Sequence, residues 1–379
     1  MILETFTFDP ENAWSLDTFP QLDGPNSLVV VFGGAQFLHQ PEALEELKAA
    51  YPQSTLVGCS TSGEICGDTV RDQSLSVAVI QFEKTALAKS EAKATKFEES
   101  YGAGKTLAES LLAPHLKAVL VFSDGLHVNG SELVRGLNSV LPQEVVVTGG
   151  LAGDGDRFKG TWVLSEGIPR SGVISAIGLY GNSIHVGHGS QGGWDIFGPE
   201  RRITRSEGNV LYELDGRPAL ELYKSYLGEK ASELPASALL FPLALRSEEE
   251  EEKRIVRTVL SIDEEEQSMT FAGDVPENSL VQLMRANFDR LIDGAGEAGL
   301  RTREGFPDHE SVLAIAISCV GRRLILGERA EEELEASLET LPPGSSQIGF
   351  YSYGEISPFA SGHCDLHNQT MTLTTLSED

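Results

Sequence analysis

Glu64 and Glu355 stand in one repeated frame, Gly58-Cys59-Ser60-Thr61-Ser62-Gly63-Glu64-Ile65 and Gly349-Phe350-Tyr351-Ser352-Tyr353-Gly354-Glu355-Ile356. Each carboxylate follows a glycine at a predicted strand end. It could face a shared cleft and hold a ligand ammonium group. It could equally lock its own turn by accepting backbone N–H groups, with Gly63 and Gly354 supplying angles that other residues avoid. Around these two lie other groups with possible chemistry. Gly149 to Gly155, which includes Gly150, could present N–H groups to an anion, with Asp154 orienting the loop or binding a cation. Cys59 and Ser60 could serve as nucleophiles if a base came within reach, and the nearest histidine in the chain is His39; otherwise they are packing residues. Arg322, placed after an apolar strand, could clamp a ligand carboxylate or make a salt bridge.

Strands and helices must position these groups. An apolar run, Leu28 to Phe32, and an amphipathic pattern, Pro41 to Ala50, precede the first frame. Val312 to Cys319 and Glu331 to Leu341 precede the second. Strand-like runs follow both, Asp72-Gln73-Ser74-Leu75-Ser76-Val77 and Asn368-Gln369-Thr370-Met371-Thr372-Leu373. A strand-helix-strand-strand unit occurring twice implies two related halves. Val77 to Phe82, Val119 to Phe122 and Val145 to Thr148 alternate with helical spacing over Thr106 to Leu112 and Ser131 to Leu141. The prediction is a mixed α/β (α+β) fold, with layered sheets, flanking helices and an internal pseudo-two-fold duplication. Gly172 to Ile262 reads as a meander interrupted by a helix over Pro218 to Leu227, and Asn278 to Ala298 as one long helix. The acidic run Glu248 to Glu252 reads as a solvated hairpin loop. Gly, Pro and Ser between Gly167 and Ser171 suggest domains over 1–168 and 169–379.

The net charge of -28, from 29 Lys plus Arg against 57 Asp plus Glu, repels phosphate backbones and anionic lipid. Nucleic acid and membrane surfaces are therefore not expected partners. No apolar run approaches the roughly 18 residues of a spanning helix, and Met1 to Pro10 lacks signal-peptide character. A cytoplasmic location is expected, with free thiols at Cys59, Cys66, Cys319 and Cys364. His363-Cys364-x-x-His367 is half of a zinc site with no second pair, so no metal is expected. Gly102-Ala103-Gly104-Lys105-Thr106 lacks the first glycine of a phosphate loop, since Glu99 stands there. Gly187-x-Gly189-x-x-Gly192 runs into Gly193-Trp194-Asp195 instead of opening a helix.

Taken together, several motifs resemble the FIST (F-box and intracellular signal transduction) family. The two glutamate frames and Gly149-Gly150-Leu151-Ala152-Gly153-Asp154 carry the resemblance, with Glu213 to Leu220, Cys319-Val320-Gly321-Arg322 and His367-Asn368-Gln369-Thr370. The resemblance implies a small-ligand sensor and covers nearly the whole chain, leaving no length for a fused output domain. It is similar to free-standing members, some of which sense nitric oxide through haem and signal to a separate histidine kinase. The implied cofactor is non-covalent haem b, with axial candidates among the histidines: His185, His188 and His367 ahead of His39, His115, His127, His309 and His363. An amino-acid sensor without haem is the first alternative, and a hydrolase or amidase using Cys59 or Ser60 the second. The expected ligand site lies between the halves, framed by Gly63, Glu64, Gly354, Glu355, Gly150, Asp154, Arg322, Cys59 and Ser60. A homo-oligomer is compatible with all of these.

Overall fold

A computed structural model describes residues 1–234, 236–246, 254–303, 311–358 and 363–379. The acidic run Glu248 to Glu252 and His309 lie outside the described residues. The fold is mixed α/β, as expected, and the repeated unit stands at both predicted places. A third copy lies between them. In the first unit, strand Ser27–Gly33 leads through helix Glu42–Ala50 to the parallel strand Thr55–Ser60, and Leu75–Gln81 returns antiparallel. The second repeats this with Leu116–Ser123, Gly130–Asn138, Val146–Leu151 and Val173–Tyr180. The third uses Leu313–Cys319, Ala330–Glu339, Ser346–Ser352 and Met371–Glu378.

Each unit lends a hairpin to the next, and the loans run in a closed ring. The first unit's Glu64–Cys66 pairs with the third unit's Ser346–Ser352. The third unit's Gly354–Pro358 pairs with the second unit's Val146–Leu151. The second unit's Val163–Ser165 closes the ring on the first unit at Cys59. Hence both glutamates sit at seams between units. The register also explains three glycines: Gly58, Gly149 and Gly349 stand opposite Val31, Val121 and Ala316. A Cβ at any of the three would lie 1.7 to 1.8 Å from the carbonyl oxygen opposite. Gly58 and Gly149 also adopt φ of 148° and 147°, where a side chain is strained.

The apolar inner faces of the three sheets meet in one core. Phe32, Phe122 and Phe350 pack with ring centroids 4.7 to 6.5 Å apart, and Cys59 and Val163 join the same cluster. Interdigitating aromatic faces of this size supply a large share of a core's stabilisation.

Between strand Ile184–Gln191 and helix Phe288–Arg301 the third unit carries a separate eight-stranded sheet with its own apolar cluster. Helix Ala219–Leu227 is where the pattern placed it. The predicted long helix over 278–298 is corrected: Leu280–Arg285 is a strand paired with Leu243–Arg246, and the helix begins at Phe288. Val281 and Leu283 alternate into the core of the inserted sheet, and the Asn287 side chain accepts from the Arg290 N–H to cap the helix. Gly167, in the expected boundary segment, turns the hairpin between Val163–Ser165 and Ile168–Arg170. The next strand, Val173–Tyr180, lies in the same sheet as Leu116–Ser123.

Candidate functional site

The two glutamates sit in matching cages. Glu64 is buried; one carboxylate oxygen accepts from the Thr61 hydroxyl, and the other from the Ser74 N–H at 2.9 Å and hydroxyl at 2.8 Å. Glu355, also buried, accepts from the Ser352 hydroxyl at 2.6 Å and from the Thr370 N–H and hydroxyl at 3.3 and 3.0 Å. Burial outweighs these donors and pushes the carboxyls up, Glu64 to about 7 and Glu355 to about 8. Their oxygens are directed at their own turns. The second unit has Val163 at the corresponding register and obtains its carboxylate elsewhere: buried Asp124 accepts from the Thr161 hydroxyl at 3.0 Å and the Gly172 N–H at 2.9 Å. Nothing in the sequence pattern singled out Asp124.

Other expected site residues are also committed to the fold. Arg322 is fully buried; it donates to Glu333 at 2.9 and 2.7 Å, to the Gly192 carbonyl at 2.6 Å and to the Leu291 carbonyl at 2.7 Å. Of the two readings for Arg322 the salt bridge is the one present, and Arg322 is not in the described lining of the cavity. Asp154 orients its own loop by accepting N–H groups from Phe158, Lys159 and Gly160 at 2.8 to 3.0 Å, and it also accepts from the Tyr353 hydroxyl. Cys59 is enclosed in the central core, where burial raises its thiol well above the ordinary range. Ser60, also buried, accepts from the Trp162 N–H at 3.0 Å. Gly150 is glycine because a Cβ would meet Ile317 and Phe350 at 3.0 and 3.2 Å. A Cβ on Gly63 would press into Arg323, and one on Gly354 would meet the Leu366 side chain at 3.0 Å.

A cavity of about 630 Å³ opens beside the second glutamate turn. Its walls come from three bodies: Gly125, Leu126, Val128 to Gly130 and Leu151 of the second unit, Cys319 to Gly321 and Tyr353 of the third, and Thr258 to Leu260 with Phe271 of the inserted sheet. The lining is mainly apolar. Phe158 stacks on Tyr353 at 4.5 Å. Asp156 and Glu233, both exposed, are the charged residues of the described lining, which holds no Lys or Arg. The expected residues thus miss the cavity by one position or a few: Leu151 lines it beside Gly150, Tyr353 beside Gly354, and Gly321 beside Arg322.

Asn368 is the unexpected member. It is completely buried at the cavity wall, and neither its amide nitrogen nor its amide oxygen has a partner; the Thr258 hydroxyl is likewise unpaired. Leaving such a group buried and unpaired costs about 1–3 kcal/mol. The first unit shows what normally answers this position. Asp72 precedes Gln73 and the glutamate donor Ser74 just as Asn368 precedes Gln369 and Thr370, and both glutamines adopt a left-handed backbone, φ 60° and 59°. Asp72 receives a fork from Arg323 at 2.8 and 2.7 Å, and Arg323 also donates to the Ser62 carbonyl. Arg323 stands four residues after Cys319, whose N–H donates to Thr370; Asp124 makes the matching bond to Val173. The residue four after Asp124 is Val128, a buried part of the cavity wall. At the same count from the matching bond the second unit thus has an apolar residue, in a loop where the third unit has a helix, and the Asn368 amide, buried at the cavity wall, has no partner.

Haem would require an axial imidazole or thiolate in the cavity. No histidine appears in the described lining. His185 bonds Asp379 at 2.7 Å, His188 lies on the same strand, and buried His367 bonds the Ser357 carbonyl at 3.0 Å. Cys319 does line the wall, yet burial and the nearby Glu355 carboxylate push its thiol up, away from thiolate. With no Lys or Arg to hold propionates, the described lining of this cavity does not fit haem.

Residues 27–217 match the FIST N domain and residues 219–358 the FIST C domain. An uncharacterized protein of Methanocaldococcus jannaschii is 25% identical over 356 residues, covering 83% of this chain; the chain spans 66% of that relative's length. A crystal structure of cyanuric acid hydrolase from A. caulinodans covers 93% of this chain and 89% of its own at 9% identity, with a TM-score of 0.34, too low to argue from. Among the described residues no helix is long and apolar enough to cross a membrane.

Proposed function

The chain belongs to the FIST family of sensory domains in signal transduction, and from that premise we propose that it senses a small neutral or cationic ligand in the cavity beside Asn368. The carrying observation is a mostly apolar cavity of about 630 Å³ whose wall holds a fully buried, unpaired amide. Sites for small ligands combine apolar walls with a few placed polar groups in this way. The exposed acids Asp156 and Glu233 and the lack of Lys and Arg in the described lining disfavour anions. An amino-acid ligand would leave its carboxylate without a cationic partner there, so a neutral ligand is preferred. Haem has no supporting observation, and the hydrolase alternative is disfavoured because Cys59 and Ser60 are enclosed in the centre of the fold.

A ligand touching three bodies favours the arrangement that closes them around it. The Trp194 indole N–H donates to the Gln369 carbonyl at 2.7 Å, so closure at Asn368 reaches the start of the inserted sheet. A separate partner, such as a histidine kinase, would read that shift in the cytoplasm. The test compares the wild type with Val320→Trp, which fills the cavity at a partly buried position. Neutral naphthalene-sized compounds should raise the wild-type Tm and alter Trp194 emission, and the variant should lose both effects while remaining folded. Equal responses in the two proteins, or none in the wild type, would remove the cavity from the proposal.

A further inference from the structure

Resting on that sensor site, we propose that its ligand carries an amide edge, as in a primary carboxamide, a lactam or a ureide. The edge pairs with Asn368 through one accepted and one donated hydrogen bond. At the first turn the corresponding Asp72 offers two acceptors, and Arg323 answers with two donors, a matched fork. Asn368 offers one donor and one acceptor side by side. Its complement is therefore a group that also presents one of each on adjacent atoms. The protein supplies none: both amide atoms of Asn368 are unpaired, and the described lining beside it holds no Lys or Arg. A carboxylate would satisfy only the donor, and an ammonium group only the acceptor.

The rest of the site fits a flat apolar body behind that edge. Leu151, Val259 and Phe271 give apolar walls, and the stacked Phe158–Tyr353 pair offers an aromatic face. The unpaired Thr258 hydroxyl gives a second, weaker point of recognition on the inserted sheet. Asn368 is fully buried, so the wall must shift to admit the ligand edge, and in that enclosed setting discrimination at the edge should be strong.

The experiment titrates the full chain with 2-naphthamide, N,N-dimethyl-2-naphthamide, methyl 2-naphthoate and 2-naphthamidine, following Tm and Kd. Wild type should bind 2-naphthamide at least about tenfold more tightly than the dimethyl amide or the ester, as expected for one lost buried hydrogen bond. N368D, with two acceptors, should reverse the order and prefer the amidine. N368L should bind amide and ester alike, which keeps the test informative if N368D folds poorly. If all naphthyl compounds bind equally in wild type and N368D leaves the order unchanged, the amide-edge inference is wrong and the cavity site survives. If none binds any of the three proteins, the cavity site fails and takes the inference with it.

Discussion

The first and third units build the same turn and use it differently. Both hold a buried glutamate between a hydroxyl three residues earlier and the N–H and hydroxyl of a residue that opens the returning strand. At the first turn the seam is shut: Arg323 reaches across from the third unit, pairs with Asp72 and holds the Ser62 carbonyl. At the second turn the seam is open, with Asn368 unpaired before a cavity. A repeated scaffold can thus keep its structural device in two copies while the residues beside it differ, Asp72 paired with Arg323 at one seam and Asn368 unpaired at the other. On the proposed reading, the difference between the copies makes the ligand site.

The largest expected effect separates two adjacent arginines. Arg322→Met removes one half of a fully buried ion pair and leaves Glu333 uncompensated, so denaturant unfolding should show a loss of about 3–5 kcal/mol. A loss near that expected for Arg323→Met would mean that Arg322 is not the structural arginine.

Next in size is the pH response of the cages. Because burial raises the folded-state carboxyls to about 7 and about 8, above their unfolded value near 4.3, the folded state binds these protons more tightly. Their contribution is fully present below the unfolded value and is lost as pH rises through the folded values. The Tm should therefore fall between about pH 5 and 8, with Glu64→Gln and Glu355→Gln each flattening part of the slope. The Glu355→Gln effect should extend to higher pH, and a Tm that rises across this window in wild type and both variants would contradict the burial account.

Smaller effects come from the paired and unpaired partners themselves. Asn368→Leu removes two unpaired polar atoms and should leave stability unchanged or raise it by about 1 kcal/mol, while the amide preference disappears in a titration. Arg323→Met acts on a pair whose acid is largely exposed and should cost no more than about 1 kcal/mol. A larger loss, read from the same denaturant curves, would show that the closed seam does more than join two units.

The first and third units were legible because apolar runs, amphipathic spacing and the glutamate frames mark them directly. The second unit was not, although Gly149 stands where Gly58 and Gly349 stand. Its hairpin begins at Val163 after a loop organised by Asp154, and its carboxylate, Asp124, comes from a different part of the unit. The choice between Arg322 and Arg323 depends on helix rotation, since adjacent residues point about 100° apart, and the sequence cannot fix which one faces inward. Asn368 lay within a recognised motif. Its significance depends on being unpaired at a cavity walled by other bodies, a relation that only the assembled ring supplies. The helix expected over 278–298 failed because Val281 and Leu283 satisfy strand alternation against the inserted sheet.

The most direct test is backbone hydrogen exchange with and without saturating 2-naphthamide, repeated with methyl 2-naphthoate to separate cavity occupation from edge pairing. Protection should appear at 319–324 and 367–370 around the open seam, and exchange at 61–74 around the closed seam should not change. Protection centred on 61–74, or no protection anywhere with either compound, would contradict the assignment of the ligand site to the second glutamate turn.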